Sequence, residues 1–446
     1  MNALNQATGK VMRPKVGVGA VSSPMEVGAN LASGAAEELA VRLSQAGCEV
    51  IRLGAIQNAD AAAAAGRKAV AEGCMALALA AVSWYEDYLA VDLLEECPVP
   101  LLLWALPGME TGALCGNQQA NWLLRQIDAP VTSVYGSLQD SAALGSARSF
   151  LLAAALRHRL LRARIGLAGS RVAGMTECAV NEPALKKAFG SRLVQVDMAS
   201  LLKTEREGDP GEKAKLWKCV KTGVAKVEVG EEVGLQAAGM VLAIRKMIQR
   251  EGLSALAFGC YPDYMGCACL AASVLAEEGI PIACEGDGNG AVGMLLMMGA
   301  TSGPVHNTDW LEPLPDGSVV FSHCGSGSYA LAAKRDAIVL APVRLANRGV
   351  CSLFTAKPGP VTLLNIVPDQ DGYQMAVMEG EALEVTMVFP GNPLRVNLGG
   401  VERPLRWIQE QGMGHHWMVG YGHVGGVLRD FARMAGPSLR YLEMRA

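Results

Sequence analysis

Short apolar runs alternating with helix-length stretches constrain this chain most, because the pattern occurs twice. The first set of strand-like runs lies at 16–21, 49–53, 75–82, 100–106 and 131–135, with helices expected over 30–46, 59–72 and 141–161. Runs this short and this apolar suit a parallel sheet covered on both faces. At residue 162 the pattern restarts. RARIGLAG (162–169) repeats the form of RPKVGVG (13–19): basic residues, an apolar run, then glycine. Further strands are expected at 192–197, 256–259 and 280–284, and helices at 236–252 and 269–278. The charged stretch 203–232 reads as a solvated helical excursion. Beyond about 340 the texture changes to short strands at 361–367, 373–377, 384–389 and 393–397, parted by Gly, Pro and Asp, as in a small antiparallel barrel or sandwich. A loop over 412–426 and a helix over 427–434 end the chain. The expected fold class is α/β: two Rossmann-like doubly wound parallel-sheet domains, 1–161 and 162–340, followed by a C-terminal antiparallel β-barrel domain, 341–446.

Composition narrows the function classes. A chain of 446 residues exceeds one core, and 51% hydrophobic against 18% charged residues can fill several. A net charge of −4 with scattered Lys and Arg argues against a nucleic-acid partner. The twelve cysteines show no paired CxxC spacing, so free thiols in a reducing cytoplasm are expected. Residues 1–12 lack the apolar core of a secretory signal, and no apolar run is long enough for a membrane span.

The scarce polar chemistry gathers in 284–325, CEGDGNGAVGMLLMMGATSGPVHNTDWLEPLPDGSVVFSHCG. Glu285 follows the apolar run 280–284, so it stands at a strand's C-terminal end, where open α/β sheets place ligands. Asp287 is read as the cap of a helix over 289–298. Asp309 is a second carboxylate one helix further on, although alone it reads as a loop acid. Three of the six histidines, His415, His416 and His423, share the Gly-rich, nearly uncharged loop 412–426. Two carboxylates joined by an imidazole suit Mn2+ or a similar hard divalent cation, whereas Zn2+ takes a larger nitrogen and sulfur share. His306 and His323 are weaker neighbours with a structural reading of their own, and His158 in HRLLRAR reads as solvated. The other motifs are bland. Gly166 and Gly169 do not complete a dinucleotide fingerprint, and 324–328 is a flexible loop rather than a nucleophile elbow. Cys267 and Cys269 read as packing. Trp84 and Trp104 end the third and fourth strands, where an aromatic can stack on a sugar but more often fills a core.

Three blocks resemble the L-fucose isomerase family, with L-arabinose isomerases more distant: CEGD with its Gly- and Met-rich helix (284–298), HNTDW through VVFSHCG (306–325), and GHHWMVGYGHVGGVLRDFARMAG (414–436). The resemblance spans nearly the whole chain, and its motifs are specific together rather than singly. It implies an aldose–ketose isomerase with bound Mn2+. The metal carboxylates then fall on Glu285 and Asp309, and the metal imidazole on His416. It further implies trimers or hexamers in which the N-terminal domain helps line a neighbour's site. The chain is shorter than typical members, and the strand end at 258–262 departs from the family's polar form. Substrate selection is therefore open among fucose- or arabinose-like and modified (deoxy or sulfonated) sugars.

Such an enzyme moves a proton from C2 to C1 through an ene-diol, with Glu285 and Asp309 as the expected catalytic pair. His415, Trp310, Trp84 and His306 are the expected substrate contacts. The partner is a small sugar, not nucleic acid or membrane, in a cytoplasmic homo-oligomer. The alternative is a sugar-binding or sensing protein without catalysis, since two α/β domains flanking a cleft also describe such binders.

Overall fold

A computed structural model of the chain describes residues 12–444, so most of the leader reading at 1–12 lies outside the described residues. The chain divides into two compact units. One comprises 12–159 with 426–434, the other 160–425 with the described residues from 435.

The first unit holds strands β1 (Lys15–Val21), β2 (Glu49–Ile56), β3 (Ala76–Ala81), β4 (Leu101–Ala105) and β5 (Val131–Tyr135). They form one parallel sheet in the order β2-β1-β3-β4-β5, a doubly wound order. Because both faces are covered by helices, β1, β3 and β4 are almost wholly buried. Gly17 and Gly19 in β1 let neighbouring side chains close over the sheet: a Cβ on Gly17 would lie 2.7 Å from Leu77. Trp104, at the end of β4, is fully buried and donates its indole N–H to the Gly136 carbonyl at 2.9 Å, so it packs rather than lining a rim. The last member of this unit comes from far along the chain. Gly425–Ala435 is a helix whose Asp430 accepts from the Ser149 hydroxyl at 3.0 Å and whose Met434 carbonyl accepts from Arg157.

The second unit continues with β6 (Arg164–Ala168), β7 (Arg192–Val196), β8 (Lys226–Val227), β9 (Ala255–Phe258), β10 (Ile282–Ala283), β11 (Val305–Pro313), β12 (Ser318–Ser322), β13 (Val339–Val343), β14 (Arg348–Leu353), β15 (Gly359–Asp369), β16 (Gly372–Leu383), β17 (Leu394–Asn397), β18 (His416–Tyr421) and β19 (Leu439–Met444). Four of these make a parallel sheet, β10-β9-β6-β7, and three a small sheet, β14-β13-β8. The remaining seven run β15-β18-β11-β12-β17-β16-β19, and β15 also pairs with β16. This sheet is mixed: β19 lies parallel to β16, while its other pairs are antiparallel. An all-antiparallel barrel is thus corrected to a mixed sheet, because the terminal strand enters beside β16 in the same direction.

Several stretches sit elsewhere than the partition at 161 and 340 places them. β11 and β12, assigned by sequence to the second α/β domain, pair into the mixed sheet, with Asp309 opposite His416 on β18 and Ser322 on β12. The loop expected over 412–426 contains β18, because the buried apolar run after His415 pairs with both β11 and β15. The strand expected at 384–389 is irregular instead: β16 ends at Leu383, and most of the following residues are exposed. The helix Glu402–Gln411 and strand β19 were not expected at all. Among the described residues, no helix is long and apolar enough to cross a membrane.

Candidate active site

The site lies in the second unit, where the ends of the parallel strands meet the mixed sheet. β10 is two residues long and delivers Cys284 and Glu285 at its C-terminal end. Glu285 has φ 61°, left-handed backbone that costs an L-residue about 1–2 kcal/mol. Three backbone contacts hold it there. The Glu285 N–H points at Cys260 Sγ (3.4 Å), the Glu285 carbonyl accepts from Val172 N (3.3 Å), and Gly286 N donates to the Phe258 carbonyl (3.0 Å). Asp287 then caps the helix Gly288–Thr301, accepting from Gly290 N at 2.8 Å, as the sequence suggested.

Strand periodicity sorts the residues of β11. Asn307 and Asp309 share one face, while His306, Thr308 and Trp310 share the other. Cross-strand partners lie side by side on one face of a sheet, so Asp309 stands beside His416 and Ser322. The opposite face packs into the interior of the mixed sheet. Trp310 lies edge-on to Phe321 at 5.0 Å between ring centroids and 6.1 Å from Trp417, and His306 sits 6.2 Å from Tyr421. Two expected substrate contacts, His306 and Trp310, therefore point away from the carboxylates. Trp84 belongs to the first unit, where its indole N–H donates to Gln119 at 3.3 Å.

His416 is the hub. Its Nε2 lies 2.9 Å from Glu285 Oε2 and 3.7 Å from Asp309 Oδ1, and its Nδ1 lies 2.9 Å from Asp287 Oδ2 and 3.8 Å from Cys178 Sγ. His323, just after β12, brings Nε2 to 3.8 Å from Glu285 Oε2. His415 lies tilted against His416 at 4.1 Å between centroids, and its Nδ1 meets Glu177 Oε1 at 2.6 Å, with both side chains about a third exposed. The turn before β18 is fixed by Asn365, whose amide donates to the carbonyls of Gly414 (3.0 Å) and His416 (2.6 Å). Asn289 donates to the carbonyls of Glu177 (3.0 Å) and Ala179 (3.3 Å), tying that loop to the helix after Asp287.

Charge is distributed accordingly. Burial alone would push the Glu285 carboxyl up, but His323 and His416 beside it hold it well below the usual carboxylate range. Burial opposes charge on both histidines, yet Asp287, Cys178 and Glu285 raise His416 well above its ordinary value, and Cys324, Glu285 and Asp309 raise His323 likewise. A hydrogen bond from Cys284 brings the Cys260 thiol down to about 7 despite burial.

These residues fit a divalent cation. Glu285 and Asp309 each present an oxygen to the same His416 nitrogen at 2.9 and 3.7 Å. Neighbouring ligands of an octahedral ion at about 2.1 Å stand roughly 3 Å apart. Asp309 Oδ1 is buried without a hydrogen bond, as are both amide atoms of Asn307 on the same strand face and the Ser322 hydroxyl. His306 Nε2, Thr308 Oγ1 and Trp310 Nε1 on the opposite face are open as well, so it is the open carboxylate oxygen beside His416 that suits a ligand. Ligating atoms of three overlapping sets converge on His416: Cys178 with Asp287, Glu285 with His415, and Asp309 with His323. Sequence reasoning passed over Glu177, Cys178 and Cys260. Each reaches the site from a loop of the parallel-sheet half, and no local motif marks them.

No family model matches the chain. Curated relatives are similar over most of its length. Two proteins named sulfoquinovose isomerase, from Priestia aryabhattai and Priestia megaterium, are each 28% identical over 387 residues, covering 79% of this chain and 82% of the relative. A third of that name, from Alkalicoccus urumqiensis, is 25% identical over 355 residues, covering 76% of this chain and 80% of its own.

Proposed function

We propose that the protein is a divalent-metal-dependent aldose–ketose isomerase acting on a sulfonated sugar. The observation that carries the chemistry is the convergence of Glu285 and Asp309 on Nε2 of His416. The similarity to proteins named sulfoquinovose isomerase supports the substrate class. In this reading Glu285, Asp309 and His416 hold the cation, with Mn2+ the first candidate for an oxygen-rich set with one imidazole. The bound cation supplies Lewis acidity toward the sugar's O1 and O2, making the C2 proton easier to remove.

The chain's own groups do the rest. A carboxylate of the Glu285–Asp309 pair removes the C2 proton and returns it to C1, while the proton on O2 passes to O1. Asp287 fixes the His416 ring through Nδ1, leaving Nε2 for the ion. His415, backed by Glu177 and partly exposed, is placed to hold a sugar hydroxyl. The trimeric or hexameric assembly implied by the fucose isomerase resemblance belongs to the same proposal and is read by sedimentation.

The test is proton exchange. In deuterium oxide with Mn2+, wild-type protein should exchange the C2 proton of its sugar with solvent. Glu285→Gln should bind that sugar yet lose exchange by at least about a hundredfold. Exchange at the wild-type rate would sink the assignment, and C2 deuterium carried to C1 without washout would point to a hydride shift instead.

A further inference from the structure

We infer that Arg171 is the residue that receives the sulfonate of the substrate, an inference that rests on the proposed action on sulfonated sugars. Arg171 stands in the loop after β6, on the ligand side of the parallel sheet. Its backbone is built into the site. The next residue, Val172, donates its N–H to the Glu285 carbonyl at 3.3 Å. A Cβ on Gly286 would lie 2.5 Å from the Ser170 carbonyl oxygen and 2.7 Å from Arg171 N, so the loop packs directly on the link between Glu285 and Asp287. The same loop carries on to Glu177 and Cys178, which meet His415 and His416.

The guanidinium itself is little used. It is half-buried, and Nη1 donates to the Val172 carbonyl at 3.1 Å. Among the described residues no carboxylate pairs with it. Two other cations of this unit, Arg348 and Lys357, are committed elsewhere. Arg348 is spent on the carbonyls of Pro262, Asp263 and Met265, and Lys357 on the Ala330 carbonyl and the face of Tyr421.

The site also creates a need for such a cation. Glu177, Glu285, Asp287 and Asp309 line it, and a sulfonate is ionised at every working pH, so these carboxylates repel the substrate class proposed for the site. A fixed positive charge in the loop beside Glu285 offsets that repulsion. The planar guanidinium can donate two parallel N–H bonds to two sulfonate oxygens, a geometry that a lysine cannot supply. Selection between a sulfonated aldose and its hydroxylated counterpart would then come from this one side chain.

The experiment compares a 6-sulfonated aldohexose with the same hexose bearing a 6-hydroxyl, on the full chain with Mn2+ supplied. Arg171→Gln should raise KM for the sulfonated sugar roughly tenfold to a hundredfold with kcat little changed. KM for the hydroxylated sugar should stay at the wild-type value, which also reports an intact fold. Arg171→Lys should fall between. An unchanged ratio of the two KM values in Arg171→Gln would overturn the inference. A wild-type protein that turns over neither sugar would instead sink the isomerase reading. Calorimetric titration with the sulfonated hexose then decides Arg171 separately, and equal affinity in wild type and Arg171→Gln would refute its role.

Discussion

His416 has a carboxylate at each ring nitrogen, and the two play different parts. The Asp287 contact at Nδ1 sets the orientation of the ring, while Nε2 faces Glu285 and Asp309. Asp287→Asn should leave all three proposed ligands in place and still weaken Mn2+ binding about 10–100-fold, because the ring is no longer oriented by a charged acceptor. Unchanged affinity in a metal titration would show that the contact is only a helix cap. His306 behaves in the opposite way. Burial and the charge of Lys357 push it down to about 3, so it stays neutral in the fold. The unfolded chain takes up that proton near pH 6.5 and the folded chain does not, so its share of stability is full above 6.5 and is lost progressively as pH falls toward 3. Between pH 7 and 5 this amounts to about 2 kcal/mol. Urea unfolding should therefore show a smaller acid loss in His306→Phe than in wild type, and equal losses would absolve His306. At this scale the sequence was legible where a residue's neighbours explain it: Asp287 sits one helix-capping distance before Gly290, and the cap is there. It was illegible for His306 and Trp310. They lie three residues before and one after Asp309, and a strand's period of two sends both to the other face.

The helix cap, the turn at 285–286 and the loop after β6 form one structural element. Gly286 has φ 69°, and its missing Cβ is the space occupied by Ser170 and Arg171. Gly286→Ala should cost roughly 2 kcal/mol or more, from left-handed backbone and from displacing a neighbouring carbonyl. Because the displaced loop holds Glu285 through Val172, metal affinity should fall along with the melting temperature. A variant that melts early yet binds Mn2+ normally would show that the loop is not coupled to the site. The parallel strands were readable from sequence because each is a short buried apolar run between helices. The arrangement of β11, β12 and β18 was not. Their pairing is long-range, and β18 begins at a His-His pair that composition assigns to a loop. The sequence thus put candidates forward, and the register sets Asp309 opposite His416.

For the molecule as a whole, binding a cation to a site that exists only in the fold is a stability statement. Mn2+ at a hundred times its dissociation constant should add about 2.7 kcal/mol to unfolding, and a chelator should remove it. Thermal melts with and without Mn2+ check this, and Asp309→Asn should lose most of the shift. A wild-type melting curve indifferent to Mn2+, Mg2+ and chelator alike would speak against a resident cation. At this scale the two α/β halves were legible, but the division of labour near the C-terminus was not. Residues 426–434 carry Val427, Leu428, Phe431 and Ala432, all buried, and they belong to the unit that begins at residue 12. This has a consequence for how the protein is made. Synthesis runs from the N-terminus, so the unit that begins at residue 12 lacks one of its own helices until residues 160–425 have been translated. Its sheet can form early, but the surface around Ser149 and Arg157 stays open until that late helix arrives.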